Sequence, residues 1–136
     1  MAAPAQFLNL DVVLRSNSDL GALVKHLDQR VFVISDQEFE RQFVVVLELA
    51  AKEPAQDARW CTQQFLAIID EFPDAVLDLW KLCTSRTFSY GFEGGCDYPA
   101  LDAIITADLL LEIGRLGADI GITVYPYRTG KDSKNG

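Results

Sequence analysis

Carboxylates are the residues of this chain whose number and spacing could do chemistry. Asp70, Asp74 and Asp78 recur at i, i+4 and i+8, with Glu71 adjacent. On one continuous helix they would stack into an acidic ridge, a surface for a cation or a basic partner. Pro73 interrupts that ridge, and Asp74 has a sufficient role as a first-turn acid at the positive end of a helix. A second cluster, Asp36, Glu38 and Glu40, falls on the expected link between two strands, with Arg41 partly offsetting it. Both clusters read as solvated faces unless a basic partner meets them, in which case local charge would steer the encounter. Asp11, Glu48 and Glu93 are the carboxylates that an enzyme or a small-molecule sensor would use, but sequence alone brings no pair of them together.

The remaining candidates are weaker. His26 is the single histidine, and no nucleophile or orienting carboxylate accompanies it in a motif. It is expected at the surface near a helix C-terminus, where a cation is favoured. Cys61, Cys83 and Cys96 are odd in number and lack CxxC spacing, which argues against a disulfide framework and a zinc site. Cys96 falls in an expected Gly94-Gly95 hairpin turn, where Asp97 beside it disfavours a thiolate. The glycines around it precede no helix and no Gly-Lys-Ser/Thr, so a phosphate cradle is unsupported. No calcium-loop spacing exists either. No catalytic residue, metal or cofactor is assigned.

The elements that must position these residues follow from periodicity. Leu8, Leu10, Val12 and Leu14 alternate as a half-buried strand, and Leu20, Leu23, Val24 and Leu27 recur at helical spacing after the caps offered by Ser16-Asn17-Ser18. Val31–Ile34 and Phe43–Leu49 read as strands. Pro54 suits the first turn of a helix whose stripe is Trp60, Cys61, Phe65, Ile68, Ile69 and Phe72. The chain restarts or kinks at Pro73 and carries Val76, Leu77, Trp80 and Leu82 on. Phe88, Tyr90 and Phe92 alternate, then Leu101, Ala103 and Ile105, and Ile120, Ile122 and Val124 close the pattern. Thr106 is placed to cap a leucine-rich helix that stops at Leu116-Gly117.

The expected fold is therefore α+β. It has one mixed sheet of about six strands in the order βαββα(α)ββαβ, ferredoxin-like in part, with helices on one face. Residues 1–126 form the single domain, and the tail 127–136 has no apolar anchor and is expected to be disordered. Parity leaves Asn9, Asp11, Val13, Val44, Val46 and Glu48 on the open face. The later strands add Ser89, Gly91, Glu93, Asp102, Ile104, Gly121, Thr123 and Tyr125. Gly91 and Gly121 inside strands mark a bend, a bulge or a close approach.

Thr106 to Tyr125, with its cap, acidic Asp108, Leu-rich helix, Leu116-Gly117 and strand ending in tyrosine, resembles the C-terminal part of a family of small uncharacterised bacterial α+β proteins. The resemblance implies the fold and a bacterial context in which small acidic proteins serve as toxin-neutralising partners. It implies no activity and no site residues.

Composition bounds the function. The chain has 136 residues, 49% of them hydrophobic, and a formal charge of −8. One core of that size needs no metal or disulfide. The charge repels phosphate backbones, so nucleic-acid binding is not expected. No apolar run is long enough to span a membrane, and no secretory signal opens the chain, so a cytoplasmic location is expected. The leading reading is an acidic binding module, of the immunity type, for a basic protein partner. Its candidate surface comprises Asp36, Glu38, Glu40, Asp70, Asp74 and Asp78 with Val44, Val46, Glu48 and Tyr125. The other readings are self-association through the open sheet face and a carboxylate-dependent sensor or enzyme.

Overall fold

The computed structural model describes residues 3–27, 29–50 and 57–127. Nine elements follow in order: β1 (Gln6–Ser16), α1 (Gly21–His26), β2 (Val31–Phe39), β3 (Gln42–Leu49), α2 (Ala58–Asp70), α3 (Asp74–Leu82), β4 (Ser85–Glu93), α4 (Ala107–Arg115) and β5 (Asp119–Tyr125). The strands form one sheet in the order β2-β3-β1-β4-β5. Every neighbouring pair is antiparallel except β4 and β5, which run parallel with α4 as their crossover. The architecture is α+β, as expected, with five strands rather than about six.

Register explains which side chains are oily. Leu10, Val12 and Leu14 lie on the same face as Val45 and Leu47 of β3 and Phe88 and Tyr90 of β4. All seven are buried, in one cluster with Leu23 of α1, Phe65 of α2, Trp80 of α3 and Leu109 and Ile113 of α4. The helices thus cover one face. In α2 the buried positions Ala58, Cys61, Thr62, Phe65, Leu66 and Ile69 recur at helical spacing. Thr62 is not an intruder there. Its hydroxyl donates to the Ala58 carbonyl at 2.7 Å and lies 2.6 Å from the Tyr90 hydroxyl, so both buried oxygens are satisfied. Burial still raises the Tyr90 phenol above its ordinary pKa, although the Thr62 hydrogen bond pulls the other way.

Helix ends follow local chemistry. The Asp57 carboxylate accepts from the Trp60 N–H at 2.8 Å and caps α2. Pro54, expected in that first turn, lies outside the described residues. The chain restarts at Pro73, which occupies the N-cap of α3. For α1 the expected Ser16-Asn17-Ser18 caps are not used. Leu20 takes the N-cap, the Ser16 hydroxyl accepts from the Ser18 N–H, and Asp19 accepts from the Gly21 N–H. Thr106 takes the N-cap position of α4 without a capping side-chain bond. At the other end Gly117 adopts φ +68, its N–H reaches the Gly114 carbonyl and the Ala118 N–H reaches that of Ile113. This double bond pattern ends the helix at the expected Leu116-Gly117, because glycine enters the left-handed region without a Cβ penalty.

Four expectations are corrected. Leu101, Ala103 and Ile105 alternate but form no strand. The two edges of β4 are already taken by β1 and β5, so residues 94–106 cannot fold back on it as a hairpin and lead to α4 instead, with Asp97 bridging Pro4 on the way. For the same reason Gly94-Gly95 is not a hairpin turn. Asp102 and Ile104 consequently leave the sheet face. In β1 the register shifts between Phe7 and Asn9, so Phe7, not Leu8, packs on the core and meets Phe92 edge-on at 5.5 Å. Asn9 then sits opposite Gly91, where a Cβ would come within 2.6 Å of the Asn9 carboxamide oxygen, so the glycine marks this bulge.

The polar stretch Asp36-Gln37-Glu38 is strand, not link. β2 continues to Phe39, and Glu40-Arg41 alone make the turn to Gln42. Both turn residues have positive φ, 50° and 67°, the geometry of the mirror-image two-residue turn that matches strand twist. Neither is glycine or asparagine, so each residue costs roughly 1–2 kcal/mol. Replacing Glu40-Arg41 with Asn-Gly should raise the unfolding free energy by about 1 kcal/mol, read as a higher urea midpoint at unchanged m-value. A midpoint that stays or falls would show that the turn is not strained.

Candidate functional site

Asp36, Glu38 and Glu40 all project to solvent at the far end of the β2–β3 hairpin. Asp36 and Glu38 are opposite Val45 and Phe43, on the helix-side face, beyond the reach of the core. The other face of β2 carries Phe32 and Phe39, which are 55% and 57% exposed. Acidic and aromatic side chains therefore share one short edge strand. Sequence reading did not single out either phenylalanine, because an edge strand open on both faces has no hydrophobic alternation to reveal it.

The ridge is divided. Asp70 is the last residue of α2, whereas Asp74 and Asp78 belong to α3, and all three are exposed. Glu71 instead bonds Arg30 at 2.6 Å. Asp70 borders a shallow cleft of ≈ 240 Å³ with Leu66, Ile69, Glu112, Arg115 and Leu116. His26 is half-buried rather than at the surface. Its ring packs edge-on against Phe72 at 5.7 Å, and its Nε2 lies 3.3 Å from the Arg30 guanidinium.

On the open face, Asp11 and Glu48 are register partners across β1 and β3, continuing the row that Phe32 begins on β2. The Asn9 carboxamide donates to Asp11 at 3.2 Å. Glu93 is four residues along β4 from Ser89, the partner of Asp11, so it lies about 13 Å from this row. It accepts from Gln6 at 3.1 Å and sits across from Tyr125. Clefts of ≈ 240–540 Å³ indent the described surface elsewhere, and the five best formed are lined by residues other than Asp11, Glu48 and Glu93. Among the described residues no group of three or more His, Cys, Asp or Glu is arranged to hold a metal ion.

Val44 and Val46 do not make an apolar patch with Tyr125. Val44 is buried in the row of Arg15 and Gln37, and Val46 is half-buried between Val13 and Ser35. Tyr125 stands three strands away, about 14 Å across the sheet. Cys61 and Cys83 are buried thiols outside any disulfide, and Cys96 is an exposed one. Burial raises Cys83 above its ordinary pKa, and the nearby Arg86 charge offsets this only in part.

Arg86 is a structural centre that sequence reading passed over. Its Nη1 donates to the carbonyls of Trp80 at 2.9 Å, Cys83 at 2.8 Å and Lys81 at 3.4 Å, and its Nε donates to Gly117 at 3.0 Å. The guanidinium thereby closes the C-terminus of α3 and holds it against the turn after α4. An arginine four residues past a helix end was the available signal.

No family model matches the chain, and neither a curated protein nor a solved structure gives a significant match.

Proposed function

We propose that the chain is a small acidic protein-binding module, of the immunity type, that takes a basic protein partner along β2 and the β2–β3 turn. The observation that carries this reading is the composition of that edge. Phe32 and Phe39 offer exposed aromatic anchors on the open face, Asp36 and Glu38 put negative charge on the opposite face of the same strand, and Glu40 adds to it in the turn beside Phe39. Interface cores favour aromatic residues, and charge complementarity sets encounter rate and partner choice. The net charge of −8 favours the same partner. A bacterial, cytoplasmic setting belongs to the same proposal. The ferredoxin-like reading of the first four strands is supported by their order β2-β3-β1-β4 and their antiparallel neighbours.

The test is comparative capture followed by titration of the purified pair. Wild-type chain should retain a basic protein that the Asp36→Asn/Glu38→Gln/Glu40→Gln variant does not. The affinity of that pair should fall about tenfold or more between 50 and 200 mM salt as screening grows. A partner bound equally by the neutralised variant, or no salt-sensitive partner at all, defeats the reading.

A further inference from the structure

We propose that β5 is the pairing edge of a two-fold homodimer, in which two copies join their sheets antiparallel and pack their α4 helices across the axis. This surface lies at the opposite edge of the sheet from β2, so the inference stands independently of the partner proposed above.

The first observation is the strand itself. Ile120, Ile122 and Val124 share a face with Phe88, Tyr90 and Phe92 of β4. That is the face the helices cover elsewhere, yet Ile122 is 69% and Val124 63% exposed. Among the described residues, the outer edge of β5 has no strand beside it. Between Ile120 and Tyr125 it carries no charge and no proline, the devices that normally blunt a free edge. The other edge, β2, has both a register shift and acids.

The second observation is α4. Leu109 and Ile113 face the core and are buried. At 100° per residue, Asp108, Glu112 and Arg115 form one polar flank. Glu112 lines clefts with Leu66 and Asp70, so this flank faces α2. Ala107, Leu110, Leu111 and Gly114 fall at i, i+3, i+4 and i+7 on the other side, away from α2 and toward the β5 edge. All four are exposed. A helix with two apolar stripes is one that expects burial on both. Gly114 has nothing within 4 Å of where its Cβ would be, which leaves room for a second helix to approach.

A second copy fits this surface better than any other occupant. An antiparallel two-fold centred on Ile122 sets Ile122 against itself and Ile120 against Val124. Every cross-strand pair on that face is then β-branched and apolar, and the interface is self-complementary as two-fold symmetry demands. The exposed leucine, isoleucine and valine side chains of the patch present roughly 500 Å² before the paired backbone is counted, approaching the ~800 Å² per partner of a stable interface. A basic partner would find no acid there except Asp119. Two copies of charge −8 can approach at this uncharged strip.

Sedimentation of the full chain tests the proposal. Wild type should be a dimer of the 15.1 kDa chain at micromolar concentration, and salt should strengthen it, because like charges are screened. That is the reverse of the salt response expected for a basic partner. Ile122→Lys and, separately, Leu110→Glu/Leu111→Glu change exposed residues and should leave the far-UV circular dichroism intact. Each should weaken the dimer by about a thousandfold, since both copies lose a central anchor. Leu82→Lys, an exposed leucine on α3, should remain dimeric. In a Cys96→Ser background, Ile122→Cys should cross-link to its own copy under mild oxidation, as the two-fold brings the Cα atoms within disulfide range. A wild type that stays monomeric to ~100 µM, leaving the edge to a different chain, overturns the proposal. So does a dimer that survives both sets of charged substitutions, or one that never cross-links through position 122.

Discussion

Trp80→Ala should lower the unfolding free energy by about 3–5 kcal/mol, the range for deleting a buried aromatic. Trp80 is 1% exposed and packs edge-on against Phe72 at 6.2 Å. Its indole N–H donates to the Leu116 carbonyl at 2.9 Å. The side chain therefore fills the space under α3 and also bonds the last turn of α4. Truncation empties that space and leaves a helix-end carbonyl without its donor. Trp80→Phe separates the two effects. It retains most of the packing and removes the hydrogen bond, so its cost should be about 1–2 kcal/mol. Urea unfolding followed by circular dichroism measures both. An alanine variant within 1 kcal/mol of wild type would mean that the indole is not a core anchor.

Arg86→Met should cost about 2–4 kcal/mol, because hydrogen bonds from a charged donor to helix-end carbonyls are among the stronger ones. Methionine keeps the aliphatic stem and removes the fork. The carbonyls of Cys83 at the end of α3 and of Gly117 beyond α4 lose the guanidinium together, and that of Trp80 keeps only the Cys83 N–H. The positive charge at the negative end of α3 is lost as well. Arg86→Lys should recover less than half of the loss, since an ammonium cannot span carbonyls on two helices as a planar fork does. Full rescue by lysine would reduce the role of Arg86 to charge alone. Trp80 and Arg86 converge on neighbouring carbonyls, so the double variant should cost measurably less or more than the two losses added.

Much of the fold was legible because burial on one face imposes a period. Leu10, Val12 and Leu14 alternate because the sheet is covered on one side, and Cys61, Phe65 and Ile69 follow the helical repeat because α2 lies on it. Pro73 and Gly117 act through backbone geometry that no tertiary contact overrides. The failures have a common cause. Whether an alternating segment becomes a strand depends on a free edge on the strand it follows, and β4 already has β1 and β5 on its two edges. Conversely, Asp36 to Phe39 is strand only because β3 lies beside it. A bulge at Phe7–Asn9 reversed the facing of two residues, and nothing in their types announces it. The candidate site was least legible. Its acids are at the surface, where spacing records no neighbour, and the aromatic residues beside them stand on an edge with no covered face.

The strand directions separate the molecule into two poles. Pro4 bridges to Asp97, and the Gly94 N–H reaches the Tyr125 carbonyl, so the N-terminal approach to β1 and the exit of β5 gather at one pole. Glu40-Arg41 occupies the opposite pole, where Ser16 meets Phe43. A nine-residue strand such as β4 sets these poles roughly 30 Å apart. Tethering this protein to a surface through a side chain near Pro4 or Tyr125 thus leaves the acidic tip pointing outward.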